Sequence, residues 1–378
     1  MSAGVAIDLR AARYRIRHRV LIGALAATAC LAALLAAGLD AASAGAAAVL
    51  LSVLAAALSG PLLGPGPESR QRFEATAIGV MGGLSALSAL VTFGIVIALF
   101  FESARFFSLT PIGDFLGGTV WSPQMAIRAD QVGAAGAFGV LPLVTGTLLI
   151  TIIAMLVAGP IGVLSAIYLN AYANPARRDA YKVALELLAG VPTVVYGFFA
   201  LLMVGPFFAG AAQGIARLFG AEIAVSAQNA LAAGFVMGVM IIPFVSSLAD
   251  DVVSAIPASL REGGLALGAT KSETYLGIIL PAAAPGLIAA LMLAVSRAIG
   301  ETMIVVMAAS RTANLTFNPL ERVTTMTVQI VALLTGDQEF DSPKTLAAFA
   351  LGLVLFFATL ALNLAALFAA RRFRLRYE

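Results

Sequence analysis

The chain has 378 residues, 61% of them hydrophobic and only 11% charged, with mean hydropathy +0.98. Soluble domains carry about 25% charge, so a soluble globular fold is excluded. One cysteine, Cys30, and one histidine, His18, exclude an intrachain disulfide and all but exclude a zinc site of nitrogen and sulfur ligands; the net charge of +3 comes without the basic, aromatic-interleaved face of a nucleic-acid binder.

What remains is an all-α polytopic membrane protein. Eight stretches approach or exceed the roughly 20 residues that a crossing helix needs. The first, Val20–Gly38, follows Arg10, Arg13, Arg15, Arg17 and Arg19, and Ala44–Leu63 comes directly after it. This opening reads as an uncleaved anchor and a second span, or as a signal peptide cleaved near Ala41. Residues 1–75 thus form an N-terminal extension.

Residues 76–139 hold the first core span, Ala77–Phe101, and an external loop, Glu102–Gly139, with the only tryptophan, Trp121. Trp121 reads either as an interfacial anchor or as a contact for an external partner. Residues 140–378 form the core, with spans at Val140–Asn170, Val183–Ala209, Gln228–Ala249, Ala282–Ala309 and Leu346–Ala370 and a second long external loop, Ser310–Thr345. With the N-terminus inside, sixteen of the 23 Lys and Arg fall on the cytoplasmic side. Six fall outside (Arg105, Arg128, Arg217, Arg311, Arg322 and Lys344), and Arg297 lies within a span. Reversing the orientation inverts that ratio, so both termini and the 250–281 loop are expected in the cytoplasm.

Three segments stand out along the core. Glu186 begins Glu-Leu-Leu-Ala-Gly-Val-Pro-Thr, just inside the Val183–Ala209 span. It reads either as a carboxylate reaching the headgroups or as half of an ion pair with a neighbouring helix. Pro192 and Gly197, with Tyr196 between them, bracket an expected kink. Arg261–Pro281 is polar and helix-compatible at its start and closes on Ile278, Leu280 and Pro281. Gly268 predicts a bend in it, and Pro281 the start of the next span. Arg297 and Glu301 lie near the middle of the seventh span, four residues apart, which puts them on one helix face. A charge at mid-bilayer costs about 2.5–3.5 kcal/mol on insertion scales, so such residues face a bundle interior or a water-filled path. The pair reads as a structural ion pair or as part of a substrate path. Arginine's rigid fork of donors suits phosphate-type oxygens. A carboxylate beside it favours an anion that still carries a proton, hydrogen phosphate rather than sulfate.

Glu262, then Gly268 six residues on, then Ile278 and Leu280-Pro281 match the spacing of the cytoplasmic loop in permeases of binding-protein-dependent ABC importers. The departure is Gly263-Gly264 where that loop has Ala-Ala. Together with GDFLGGTVWSP (Gly113–Pro123), LPLVTGTLLIT (Leu141–Thr151), ELLAGVPTVVYGFF (Glu186–Phe199), SRAIGETMIV (Ser296–Val305) and NLTFNPLERVTTMT (Asn314–Thr327), the chain resembles the phosphate ABC importer permease of the PstC type from about Phe93 to Arg372. The resemblance implies a type I ABC importer transmembrane domain of about eight helices, a six-span core plus the two extra N-terminal spans.

It also implies a bacterial cytoplasmic (inner) membrane location, phosphate as substrate, no cofactor, no metal, and a transport subunit rather than an enzyme. The implied partners are a second permease of the PstA type, a dimeric ATPase, an external phosphate-binding protein and membrane lipid. The ATPase would dock on Glu262, Gly263, Gly264, Gly268, Ile278, Leu280 and Pro281, while Arg297, Glu301 and Glu186 would line the substrate path. Lys182, Lys271 and Lys344 follow Tyr, Thr and Pro, so no Gly-Lys-Ser/Thr phosphate loop exists and ATP chemistry is expected in another subunit. Three alternatives stay open: a permease for another oxyanion such as molybdate, an ion-coupled carrier in which Glu301 relays protons, and a non-transporting membrane scaffold that uses its external loops for assembly.

Overall fold

The computed structural model describes residues 67–123, 136–335 and 342–374. The expected spans Val20–Gly38 and Ala44–Leu63 lie outside them. The chain divides into two compact units inside its first described helix; apart from the part of that helix before Leu99, everything below belongs to the second, Leu99–Glu378.

In chain order the helices are α1 (Pro67–Leu109), α2 (Ile112–Gly117), α3 (Leu141–Ala171), α4 (Pro175–Gly190), α5 (Thr193–Leu218), α6 (Ala230–Ser254), α7 (Ala258–Ala266), α8 (Lys271–Ile299), α9 (Met303–Ala308), α10 (Met326–Leu334) and α11 (Pro343–Arg374). A small antiparallel ribbon, β1 (Trp121–Ser122) and β2 (Ala137–Phe138), pairs Trp121 with Phe138. Among the described residues six helices, in α1, α3, α5, α6, α8 and α11, are long and apolar enough to cross a membrane.

Local chemistry sets the boundaries. Asn174 caps α4 by accepting from Arg177 N–H, with Pro175 at the first helical position. Asn229 caps α6 through Ala232 N–H. Thr270 and Glu273 form a reciprocal capping box that starts α8. That box corrects one expectation: the helix begins at Lys271 rather than at Pro281. The chain passes Pro281 because a π-helical turn, Tyr275–Ile279, widens the helix just before the proline ring. The same device recurs in α5, where the π turn Ala200–Val204 precedes Pro206. In both places the proline stands two residues past the turn.

Another expected span is corrected as well. Val183–Ala209 is two helices, because Pro192 holds Val191 extended (φ −67°, ψ 128°) and ends α4. Glu186 therefore lies on α4, ahead of the span α5. Gly197 is a packing position rather than a hinge, since a Cβ there would meet Met307 Sδ at 2.9 Å.

The centre of the fold is the crossing of α3 and α6. A Cβ on Gly162 would lie 2.7 Å from Val245 Cβ, and one on Gly234 2.7 Å from Ile153 Cβ, so missing side chains let the backbones close. Ala154, Ala158, Val236, Met237 and Ile241 fill the space between. At the ends opposite α4 and α7, Phe106, Phe115, Phe138 and Trp121 form an edge-to-face aromatic cluster. Trp121 is buried there, and its Nε1–H donates to Gln329 Oε1 at 3.0 Å. It is a core residue, which replaces both sequence readings of it. The outward faces carry Leu156, Leu164 and Phe207, exposed to the surroundings as lipid or partner contact requires.

Candidate functional site

A cavity of about 360 Å³ opens between α3, α4, the start of α5, α6 and α8. Arg297 enters from α8, and its guanidinium lies over the Phe244 ring at 5.3 Å. Phe244 is ten residues from the end of α6, about 15 Å at 1.5 Å per residue. That places Arg297 near mid-depth, although it sits at the end of its own helix. Thr193, Ser246 and Ser247 share the lining, as do Lys182, Glu186, Asp250 and Asp251. Of the three expected path residues, the structure therefore joins Arg297 and Glu186 in one cavity.

Glu301 is elsewhere, and the shared helix face with Arg297 is corrected. α8 stops at Ile299, and the chain breaks at Gly300–Thr302 before α9. The Glu301 carboxylate turns to the free N–H groups of that short helix, accepting from Met303 at 3.1 Å and Ile304 at 3.4 Å. Among the described residues Arg297 and Glu301 form no ion pair. The span is thus a discontinuous helix with its break beside the cavity.

The loop between α6 and α8 is the short helix α7 followed by a turn at Gly268. α7 ends in a Schellman turn: Gly268 N–H bonds to Leu265 O at 3.0 Å and Ala269 N–H to Gly264 O at 3.2 Å, with Gly268 at φ +86°. Glu262 and Gly263 face outward, and a Cβ on Gly263 meets nothing. Gly264 is buried against α8, where a Cβ would come within 2.9 Å of Ile278 Cδ1 and of Thr274 Cγ2. The second glycine of the pair thus seats α7 on the start of α8. Ile278 serves as that seat, and Leu280 and Pro281 follow on α8.

Sequence reasoning missed the polar cluster beneath the cavity. Asp250, buried at the end of α6, accepts from Lys182 Nζ at 2.8 Å and Arg178 Nη2 at 3.2 Å, both on α4. Asn170 Nδ2 on α3 donates to Asp250 Oδ1 at 3.2 Å and to Ser254 Oγ at 2.8 Å. Asn170 Oδ1 accepts from Arg261 Nη2 of α7 and from the Tyr275 hydroxyl of α8, each at 2.9 Å. The available signal was an aspartate closing a strongly apolar span, since a charge at such a place demands partners.

Residues 158–377 match the family described as "Binding-protein-dependent transport system inner membrane component". Over 247 residues the chain is 34% identical to the probable ABC transporter permease protein YqgH of Bacillus subtilis, covering 65% of this chain and 74% of that one. Over 277 residues it is 31% identical to the phosphate transport system permease protein PstC 1 of Mycobacterium tuberculosis, covering 68% and 81%. A bacterial ABC transporter involved in the import of the acidic polysaccharide alginate has a chain of similar fold, with TM-score 0.50 and 14% identity over 80% of this chain and 99% of that one.

Proposed function

Because this chain belongs to the family of binding-protein-dependent transport system inner membrane components, we propose that the solute it moves is inorganic phosphate. It is the permease subunit of an ABC importer, a multi-pass membrane protein that moves a small solute and is not an enzyme. The observation that carries the phosphate reading is Arg297, a mid-depth guanidinium entering a cavity ringed by Thr193, Ser246 and Ser247. A planar fork of donors with hydroxyls around it suits a tetrahedral oxyanion. Several relatives named as phosphate permeases of the PstC type support the same reading.

α7 and its glycine turn would dock on a dimeric ATPase at the cytoplasmic face, where the distribution of Lys and Arg would also place both termini. A second permease of the PstA type would complete the path, and an external phosphate-binding protein would load it. ATP-driven closure of the ATPases would displace α7 and rock the spans between inward-open and outward-open states. The test is purification from native membrane with identification of what copurifies. An ATPase, a second permease and hydrolysis stimulated by phosphate are expected; stimulation by molybdate in place of phosphate would overturn the substrate.

Carboxylates in an anion path need a reason. Lys182 and Arg178 engage Asp250, while Glu186 and Asp251 face the cavity free of ion pairs among the described residues. A hydrogen phosphate has a proton to donate to one of them, and sulfate has none. Glu186→Gln combined with Asp251→Asn should therefore raise sulfate inhibition of phosphate uptake by about tenfold, the scale of losing one discriminating polar contact. Glu301→Gln should leave sulfate exclusion unchanged, because Glu301 caps α9. Undiminished exclusion in the double variant would move selectivity to the external binding protein.

A further inference from the structure

We propose that Asn170 is the joint through which α7 drives the cavity wall, a positioning residue that passes displacement from Arg261 to Asp250 and on to Lys182. The inference rests on reading α7 as the helix that meets the ATPase.

The amide of Asn170 has a determined orientation. Arg261 only donates, so the atom facing it is oxygen; the Asp250 carboxylate accepts, so the atom facing it is nitrogen. All four hydrogen-bonding positions of the amide are used, toward Arg261, Tyr275, Asp250 and Ser254. One side chain on α3 thereby holds α7, α8 and α6 together. The chain continues without a gap, because Asp250 also binds Arg178 and Lys182, and Lys182 lines the cavity. α7 otherwise packs on the start of α8, at Gly264, Thr274 and Ile278. Asp250 is buried, so parting it from its cations would strand a charge; the elements it joins are held to move as one. A displacement of α7 therefore pulls on α4, whose Lys182 and Glu186 face the solute path. The competing route runs straight up α8 to Arg297 and does not need Asn170.

The test uses the assembled importer copurified with its ATPase and second permease, with Cys30→Ser and a cysteine pair across the cavity, Ala189→Cys on α4 and Met240→Cys on α6. ATP is expected to change the rate of cross-linking. Adding Asn170→Ala should cut that nucleotide-dependent change by about fivefold or more, a typical coupling between sites, while the copurified ATPase and its basal hydrolysis stay within about twofold. Tyr275→Phe, which deletes one hydroxyl, should weaken the response partially, and it decides the matter if Asn170→Ala does not accumulate. Arg261→Ala combined with Asn170→Ala should lose no more response than the worse single variant, because the two act in series. An unchanged response in Asn170→Ala or Tyr275→Phe overturns the joint, as does a loss matched by lost ATPase. The readout needs no knowledge of the solute: a parent complex that responds to ATP but ignores phosphate would refute the substrate and still test the joint.

Discussion

Gly268→Val is expected to abolish ATP-driven solute uptake while the chain still accumulates in the membrane. Gly268 holds φ +86°, where a Cβ costs about 1–2 kcal/mol and a β-branched side chain more. Nothing lies within 4 Å of a Cβ built there, so the effect is on the backbone alone. Valine would push the residue out of the left-handed region and release the two bonds, to Leu265 O and Gly264 O, that close α7. α7 would then leave its seat on Thr274 and Ile278, whereas the α3–α6 crossing would be untouched. Gly268→Asn, which tolerates positive φ, should retain much of the activity. Uptake, membrane level and copurified ATPase measured together give the result, and normal uptake by the valine variant refutes the coupling assignment.

Arg297→Ala is expected to reduce phosphate uptake by about 10- to 100-fold, the scale of losing a charged hydrogen-bonding partner. Arg297→Lys should recover only part of it, because an ammonium lacks the planar fork. The fold should survive either change. Among the described residues Arg297 makes no ion pair, and its contact is the face of Phe244. Uptake kinetics in reconstituted vesicles separate the cases: unchanged kinetics in the alanine variant would place the anion path elsewhere.

Several sequence readings carried through because they depend on neighbours along the chain. The spacing from Glu262 to Pro281 located α7 and its glycine turn. Arg297, alone among the basic residues in falling within a span as hydropathy draws the spans, lines the cavity as an intramembrane charge should. Other readings failed where a short-range rule met a break. Val183–Ala209 reads as continuous because α4 ends in apolar residues, and in sequence Pro192 resembles a kink rather than a terminus. Arg297 and Glu301 were paired by helical spacing, which Gly300 cancels by ending α8 between them. Trp121 reads as an interfacial anchor or an external contact because its partner, Gln329, is 208 residues away.

Hydropathy and spacing determined the membrane class and most of the strongly apolar spans, because lipid imposes its demands residue by residue along each helix. Which charges answer one another was decided by the tertiary structure alone. Asn170, Arg178, Asp250 and Arg261 meet only after α3 and α6 close on their glycines and α4 turns back beneath the cavity, and no rule of local spacing links residues 72 to 91 positions apart.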